Sequence, residues 1–546
     1  MWRFARGPVV ALTRGSARTR SRCRARATGV RRAPSVVPVL ARVTTFAIDG
    51  LESRRVSVEV DIRAGLPAFR VVGLADVAVR EARERVRSAV LNSGFEFPQR
   101  RITANLAPAY LRKVGPGFDL ALAIGLLAAS RQLDADRLAG WAVFGELSLG
   151  GELRPGRGTL AVAEGVRRAG LEGLVVPVET GFEAALVEEV GVAPVRDLRA
   201  AVEVLSGERE PEPVRAPPEP EPARDDAELD LAEVSGQAEA MAAMEIAAAG
   251  GHNLLLEGPP GVGKTMLARR LPGILPALTR EEALEVTRVY SVVGLHRGGG
   301  LVARRPFRSP HHTISPSGLV GGGARPAPGE ASLAHHGVLF LDELSEFPRA
   351  SLEALRQPLE DGESTIVRGQ QARAFPTRFM LVAATNPCPC GHAGDRRRCR
   401  CTEADVARYR RRLSGALLDR FDLLCTLARP PAPRLARTDP PTSGDVRARV
   451  TDARERQARR FAGTGVACNG QMDAPLARRL ARLTADAETT LRAAYDREAL
   501  SARGMQRVLR VARTVADLAA SQEIHRPHVT TALALRQDRL DLARAA

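Results

Sequence analysis

The chain has 546 residues, 44% apolar and 26% charged, the balance of a soluble protein with buried cores and a length sufficient for roughly three to four domains. Net charge is +17, and all but two of its 80 basic residues are arginine, the exceptions being Lys113 and Lys264. A wholly disordered or collagen-like chain is thereby excluded. The longest apolar run, Leu120 to Ala129, reaches about half of a membrane span, so no membrane protein is expected.

Residues 1–42 hold eleven arginines and no carboxylate. Arg42 interrupts the apolar stretch Val36–Ile48, so no secretory core follows the arginines. The pair Arg31-Arg32 is therefore read not as a twin-arginine signal but as part of a basic disordered tail, or of a start codon placed too far upstream. From 43 to 206 short strands alternate with helices: Val56–Ile62 reads as a strand of period two and Val77–Asn92 as a charged amphipathic helix. Residues 207–228 repeat Glu-Pro and form a stiff linker. A second folded unit spans 229–429, a Pro-rich connector 430–445, and helical periodicity dominates 446–546. Seven cysteines in so long a chain do not make a disulfide scaffold. A reducing, cytoplasmic setting is expected.

The second unit carries the clearest chemistry. Gly258, Pro259, Pro260, Gly261, Val262, Gly263, Lys264 and Thr265 spell a phosphate-binding loop between the apolar strand Asn253–Glu257 and a helix opening at Met266–Leu271. Glycines there let backbone N–H groups surround phosphate oxygens at a helix N-terminus. Lys264 would reach the β- and γ-phosphates of ATP, and the Thr265 hydroxyl would hold Mg²⁺. Keeping lysine against so strong an arginine bias suits a site that needs a compact ammonium. Farther on, Gly337–Leu341 is a buried strand ending in Asp342 and Glu343. Asp342 suits orienting Mg²⁺, and Glu343 suits polarising the attacking water as general base. A third strand, Phe379–Asn386, places Asn386 where it can align that water. Arg420 follows a short helix and Arg503 opens a helical stretch. Spacing alone favours a solvated surface for both, with transition-state stabilisation on a neighbouring subunit's γ-phosphate the alternative for Arg420.

Taken together, the phosphate loop in Ala247–Gly261, the stretch Pro306–Thr313 and the stretch Leu413–Asp422 resemble the YifB/ComM family of magnesium-chelatase-like AAA+ ATPases, from about Val43 to Asp541. The resemblance implies an α/β fold: a Lon-protease-like α+β N-terminal domain, a P-loop AAA+ three-layer α/β core and a C-terminal α-helical lid. It implies an ATPase centre of Lys264, Thr265, Asp342, Glu343 and Asn386, with Arg420 acting in trans and Arg503 as the sensor on the lid. In the N-terminal domain, the positions of a Lon-type serine and lysine fall at Gly117 and near Leu160. Without those groups a peptidase is not expected. Lys113 is left between an anion contact and a solvated turn.

Cys388, Cys390, Cys399 and Cys401 place two pairs of thiols around a basic loop that includes Arg396, Arg397 and Arg398. Four thiolates can close a tetrahedral Zn²⁺ site, with His392 as a spare ligand. The tight C-x-C spacing leaves free thiols as the alternative. Arg368, Gln370, Gln371 and Arg373 fall in an expected hairpin, Glu363–Phe379, and hairpins at this place line a hexamer pore and grip DNA in the AAA+ branch that the chain resembles. Residues 431–546 carry 21 arginines against 13 acidic residues, a surplus that suits a phosphate backbone or else a solvated face. The implied function is a homo-hexameric DNA helicase promoting branch migration during recombination in natural transformation, acting on single-stranded or branched DNA without sequence specificity. The alternative is a chelatase-like or protein-remodelling ATPase with a protein partner.

Overall fold

The computed structural model describes residues 40–214, 229–296, 300–323, 326–368, 371–393, 395, 397–430, 440–497 and 500–544. Most of the basic tail, part of the Glu-Pro linker, most of the Pro-rich connector, Gln370 and Arg396 lie outside them.

The N-terminal unit is a seven-stranded mixed sheet in the order Ala68–Val72, Arg101–Ala107, Glu52–Arg63, Leu40–Asp49, Trp141–Val143, Gly173–Pro177, Gly191–Val195. Its first strand begins at Leu40, inside the segment set aside as tail. Alternation explains the difference: Ala41 and Val43 point into the core, whereas Arg42 lies on the solvent face and pairs with Glu59 at 3.4 Å. Val56, Val58, Val60 and Ile62 are all buried, as period two requires. The helix Val77–Asn92 is capped by Asp76, whose carboxylate accepts the Val79 N–H. Leu120 to Ala129 lies within a wholly buried helix, Asp119–Ala129.

Lys113 is neither a solvated turn residue nor open to an anion. It is fully buried, and its ammonium donates to the Pro108 carbonyl. Burial lowers its pKa.

The second unit is built on five parallel strands in the order Phe307–Arg308, Val338–Leu341, Met380–Thr385, Leu254–Glu257, Leu423–Thr426. Every residue of the three central strands is buried, consistent with a parallel sheet covered on both faces. The C-terminal helices begin at Ser443, three residues ahead of the expected 446, because Thr442 and Asp445 close a reciprocal capping box there. These helices, Ser443–Arg460, Ala474–Leu480, Ala485–Asp496, Ala502–Leu518 and Arg526–Arg544, share one apolar cluster with the sheet, running from Leu231 to Ala532.

The two units meet where the helix Thr159–Arg168 packs against Arg280–Val293. Glu183 accepts from both the Leu160 N–H at 2.7 Å and the Ser291 hydroxyl at 2.5 Å, so one carboxylate ties both helices. Arg280–Glu188 and Arg288–Glu164 ion pairs flank this seam. No helix among the described residues is long and apolar enough to cross a membrane.

Candidate nucleotide site

The strand Leu254–Glu257 lies in the middle of the parallel sheet, so the loop after it opens at the carboxyl ends of its neighbours, where open α/β sheets bind ligands. Gly261 and Gly263 have φ of 77° and 96°, a left-handed backbone that bends the loop back over the helix Lys264–Arg270. The Lys264 ammonium turns inward and donates to the carbonyls of Gly258 at 2.6 Å and Pro259 at 3.0 Å, and to Asn386 Oδ1 at 2.9 Å. Burial lowers its pKa, against the opposing pull of Asp342, Glu257 and Glu343.

The Thr265 hydroxyl donates to Asp342 Oδ2 at 2.7 Å, joining the phosphate loop to the neighbouring strand end. A hydroxyl and a carboxylate that converge in this way are the donor set Mg²⁺ prefers, since it takes hard oxygen ligands and keeps several waters. Glu343 is in the left-handed region, φ 52°, with its N–H held by Asp342 Oδ1 at 3.0 Å. That turn directs its half-exposed carboxylate outward, where His312 Nδ1 stands 3.7 Å away. Sequence reasoning gave His312 no role, although it lies in the Pro306–Thr313 stretch. Only the fold brings that stretch to the tip of a strand 30 residues on.

The two arginines lie elsewhere. Arg420 is ion-paired to Glu360 of its own chain, and its Nε is buried without a hydrogen-bond partner. Burial lowers its pKa, and the Arg503 and Arg356 guanidiniums add to this. The fold thus brings Arg503, exposed on the first turn of Ala502–Leu518, toward Arg420.

Cys388, Cys390, Cys399 and Cys401 gather directly beyond Asn386, with all four sulfurs within 4.8 Å of one another. His392 is not among them, and it is its backbone N–H that points at the Cys390 sulfur. A second cluster, unforeseen in the sequence, unites Glu285, His335 and His336. Both imidazole Nε2 atoms lie 2.8 Å from Glu285 Oε2, and His335 Nδ1 accepts the Arg378 backbone N–H at 3.1 Å. The neutral His335 ring therefore carries its proton on Nε2, aimed at the carboxylate, which makes the trio a hydrogen-bonded joint rather than a metal site.

The hairpin Glu363–Arg368 with Gln371–Pro376 is present. Arg373, on this hairpin, is ion-paired to Asp49 of the N-terminal unit. Arg368 is exposed.

Five parallel strands in this order, with a phosphate loop, an Asp-Glu strand tip and an asparagine on the strand between, are the arrangement of an AAA+ ATPase core. Residues 230–434 match the family of magnesium chelatase subunit ChlI, 58–180 match subunit ChlI of Mg-chelatase, and 441–536 match the ChlI C-terminal family. An uncharacterized protein of Mycobacterium tuberculosis is 45% identical over 502 residues, covering 91% of this chain and 99% of its own. The uncharacterized protein YifB of Escherichia coli is 44% identical over 505 residues, 92% and 98% of the two chains. Competence protein ComM of Haemophilus influenzae is 43% identical over 506 residues, 91% and 97%. The chain belongs to the magnesium-chelatase ChlI-like AAA+ ATPase family, together with YifB and ComM.

Proposed function

We propose that the protein is an ATP-hydrolysing, ring-forming motor that drives branch migration of DNA during recombination in natural transformation. The observation that carries its ATPase half is the pair of contacts Thr265–Asp342 and Lys264–Asn386, which joins three adjacent strand tips. In this reading ATP phosphates displace the Gly258 and Pro259 carbonyls as partners of Lys264. Thr265 and Asp342 hold Mg²⁺, whose charge offsets that of the phosphates. Glu343 takes the proton of the attacking water, Asn386 orients that water, and Arg420 of a neighbouring subunit in a homo-hexamer stabilises charge on the γ-phosphate. Arg503 acts as a sensor on a C-terminal helical lid.

The N-terminal unit is read as a Lon-like domain without peptidase chemistry. A side chain at Gly117 would meet the Phe144 ring at 2.6 Å, and Leu160 is fully buried. The four cysteines are read as a structural Zn²⁺ site. The DNA half rests on the 43% identity to a competence protein. The match to magnesium chelatase subunits favours a second reading, an ATPase that remodels a protein partner. ATP turnover measured with and without single-stranded DNA, together with unwinding of a forked duplex, separates them. Stimulation by DNA with unwinding is the expected result, and stimulation by a protein alone would move the assignment to the second reading.

A further inference from the structure

Cys388 Sγ lies 3.4 Å from Cys390 Sγ and 3.9 Å from Cys399 Sγ, and Cys390 to Cys399 spans 3.7 Å. Zn–S bonds of about 2.3 Å in a tetrahedron require sulfur-to-sulfur edges of about 3.8 Å. The three separations bracket that edge and lie far above a disulfide bond of about 2.0 Å. Backbone N–H groups of Arg400 and His392 point at Cys390 sulfur, the kind of support that orients thiolate ligands.

Three connections lead from this cluster into the nucleotide site. Cys388 is fully buried and is separated by one proline from Asn386, which holds Lys264. Gly391, one residue past Cys390, lies flat against the phosphate loop: a Cβ there would come within 2.5 Å of Pro260 Cδ. Cys401 is followed directly by Thr402, which caps the helix Glu403–Arg410. On that helix the Tyr409 hydroxyl bonds Ser345, two residues beyond Glu343.

We infer that Zn²⁺ bound by Cys388, Cys390, Cys399 and Cys401 is a positioning metal for ATP, holding Asn386, Pro260 and the Glu343 turn in one arrangement. This rests on the zinc and ATPase readings above and goes beyond them, because an accessory zinc would leave the nucleotide site indifferent to its removal. The linkage runs both ways: if zinc tightens nucleotide binding by some factor, nucleotide tightens zinc binding by the same factor.

The test uses the full chain. Metal analysis of purified protein should find about one zinc per chain, and Co²⁺ exchanged into it should give the visible absorption of a tetrahedral thiolate site. Mg²⁺ with a slowly hydrolysed ATP analogue should bind about tenfold more weakly to chelator-stripped protein than to the zinc form. In the untouched wild-type protein, the same analogue should raise zinc affinity, read by competition with a colorimetric chelator, by a matching factor. Gly391→Ala, which crowds Pro260 and strains a left-handed turn at φ 79° but leaves all four thiols in place, should keep its zinc yet bind the analogue more weakly. Cys399→Ser and Cys401→Ser, which are farther along the chain from Asn386 and Gly391 than the other two thiols, should lose both zinc and affinity.

Zinc below about half an equivalent per chain would overturn the metal reading, and with it this inference. No analogue binding in any form would overturn the ATPase reading. Zinc and analogue both bound, with affinities that ignore each other, would overturn the positioning role alone.

Discussion

Three oxygens surround the Lys264 ammonium. ATP must therefore offer it more than two carbonyls and an amide do, and doubly charged phosphate oxygens meet that condition. Lys264→Ala should weaken nucleotide binding by about 10- to 100-fold, the loss of one or two charge-assisted hydrogen bonds, as read by titration with a fluorescent ATP analogue. Glu343→Gln should bind ATP normally and lower kcat by at least about 100-fold, the usual share of a general base. Unchanged turnover in Glu343→Gln would remove the carboxylate from that role. The residues around Lys264 were legible in sequence because their chemistry is local: a loop of eight residues between a strand and a helix, and acids at a strand end. His312 was not legible, since nothing within its own stretch says that Glu343 will be its neighbour. Lys113 misled for the opposite reason. Its charge suggested the surface, yet its neighbours fold over it and supply a single carbonyl.

Elements were legible in proportion to their periodicity. The helix Val77–Asn92 and the strand around Val56–Ile62 follow from pattern alone, whereas Phe307–Arg308 is two residues long and exists only because Val338–Leu341 pairs with it. The joint between the helix Arg280–Val293 and the turn before that strand is equally invisible in sequence, since Glu285 finds His335 and His336 some 50 residues away. Hydrogen bonds from both imidazoles hold the Glu285 carboxyl well below its ordinary range, and burial lowers the His335 pKa. Both shifts have the same sign for stability. A depressed carboxylate contributes fully above its unfolded pKa, and that contribution is lost as pH falls through the folded value. A buried imidazole kept neutral contributes fully above its unfolded pKa, and its contribution declines as pH falls through the window below. Acidification from about pH 6.5 downward should therefore loosen this joint, beginning with His335 and ending with Glu285. Glu285→Gln should cost about 1–3 kcal/mol at neutral pH. Its deficit against wild type should widen while the imidazoles titrate, since Glu285 favours their charged form, and shrink only below about pH 4.5, where the unfolded carboxylate gains its proton. Melting curves of both proteins across that range check this, and a deficit independent of pH would mean that the imidazoles do not sense the carboxylate's charge.

At the scale of the whole molecule, the C-terminal helices are bound into the ATPase core. Arg454 donates to the Ala248 carbonyl and Gln457 to that of Ala249, at the end of the helix Ala238–Gly250 that precedes the phosphate-loop strand. Arg513 is almost wholly buried, and Asp517 receives both it and Arg460. Part of the arginine surplus counted in this region is thus spent inside the fold, something composition could not reveal because guanidiniums satisfy buried carbonyls as readily as phosphates. Arg420 differs. Its partner Glu360 is about half exposed, and Arg503 and Arg356 crowd it with like charge, so in the proposed ring a neighbour's triphosphate would offer it a stronger anion. Arg420→Ala should then lower turnover by about 10³-fold or more while the chain's own phosphate loop remains intact. Mixing it with Lys264→Ala distinguishes trans from cis action. In a head-to-tail ring assembled at random from equal amounts, about a quarter of interfaces pair an intact phosphate loop with an intact Arg420. Turnover should accordingly rise from near zero to a sizeable fraction of wild type on mixing. If Arg420 served its own chain, each subunit would stay deficient in one component, and the mixture would be as inactive as its parts.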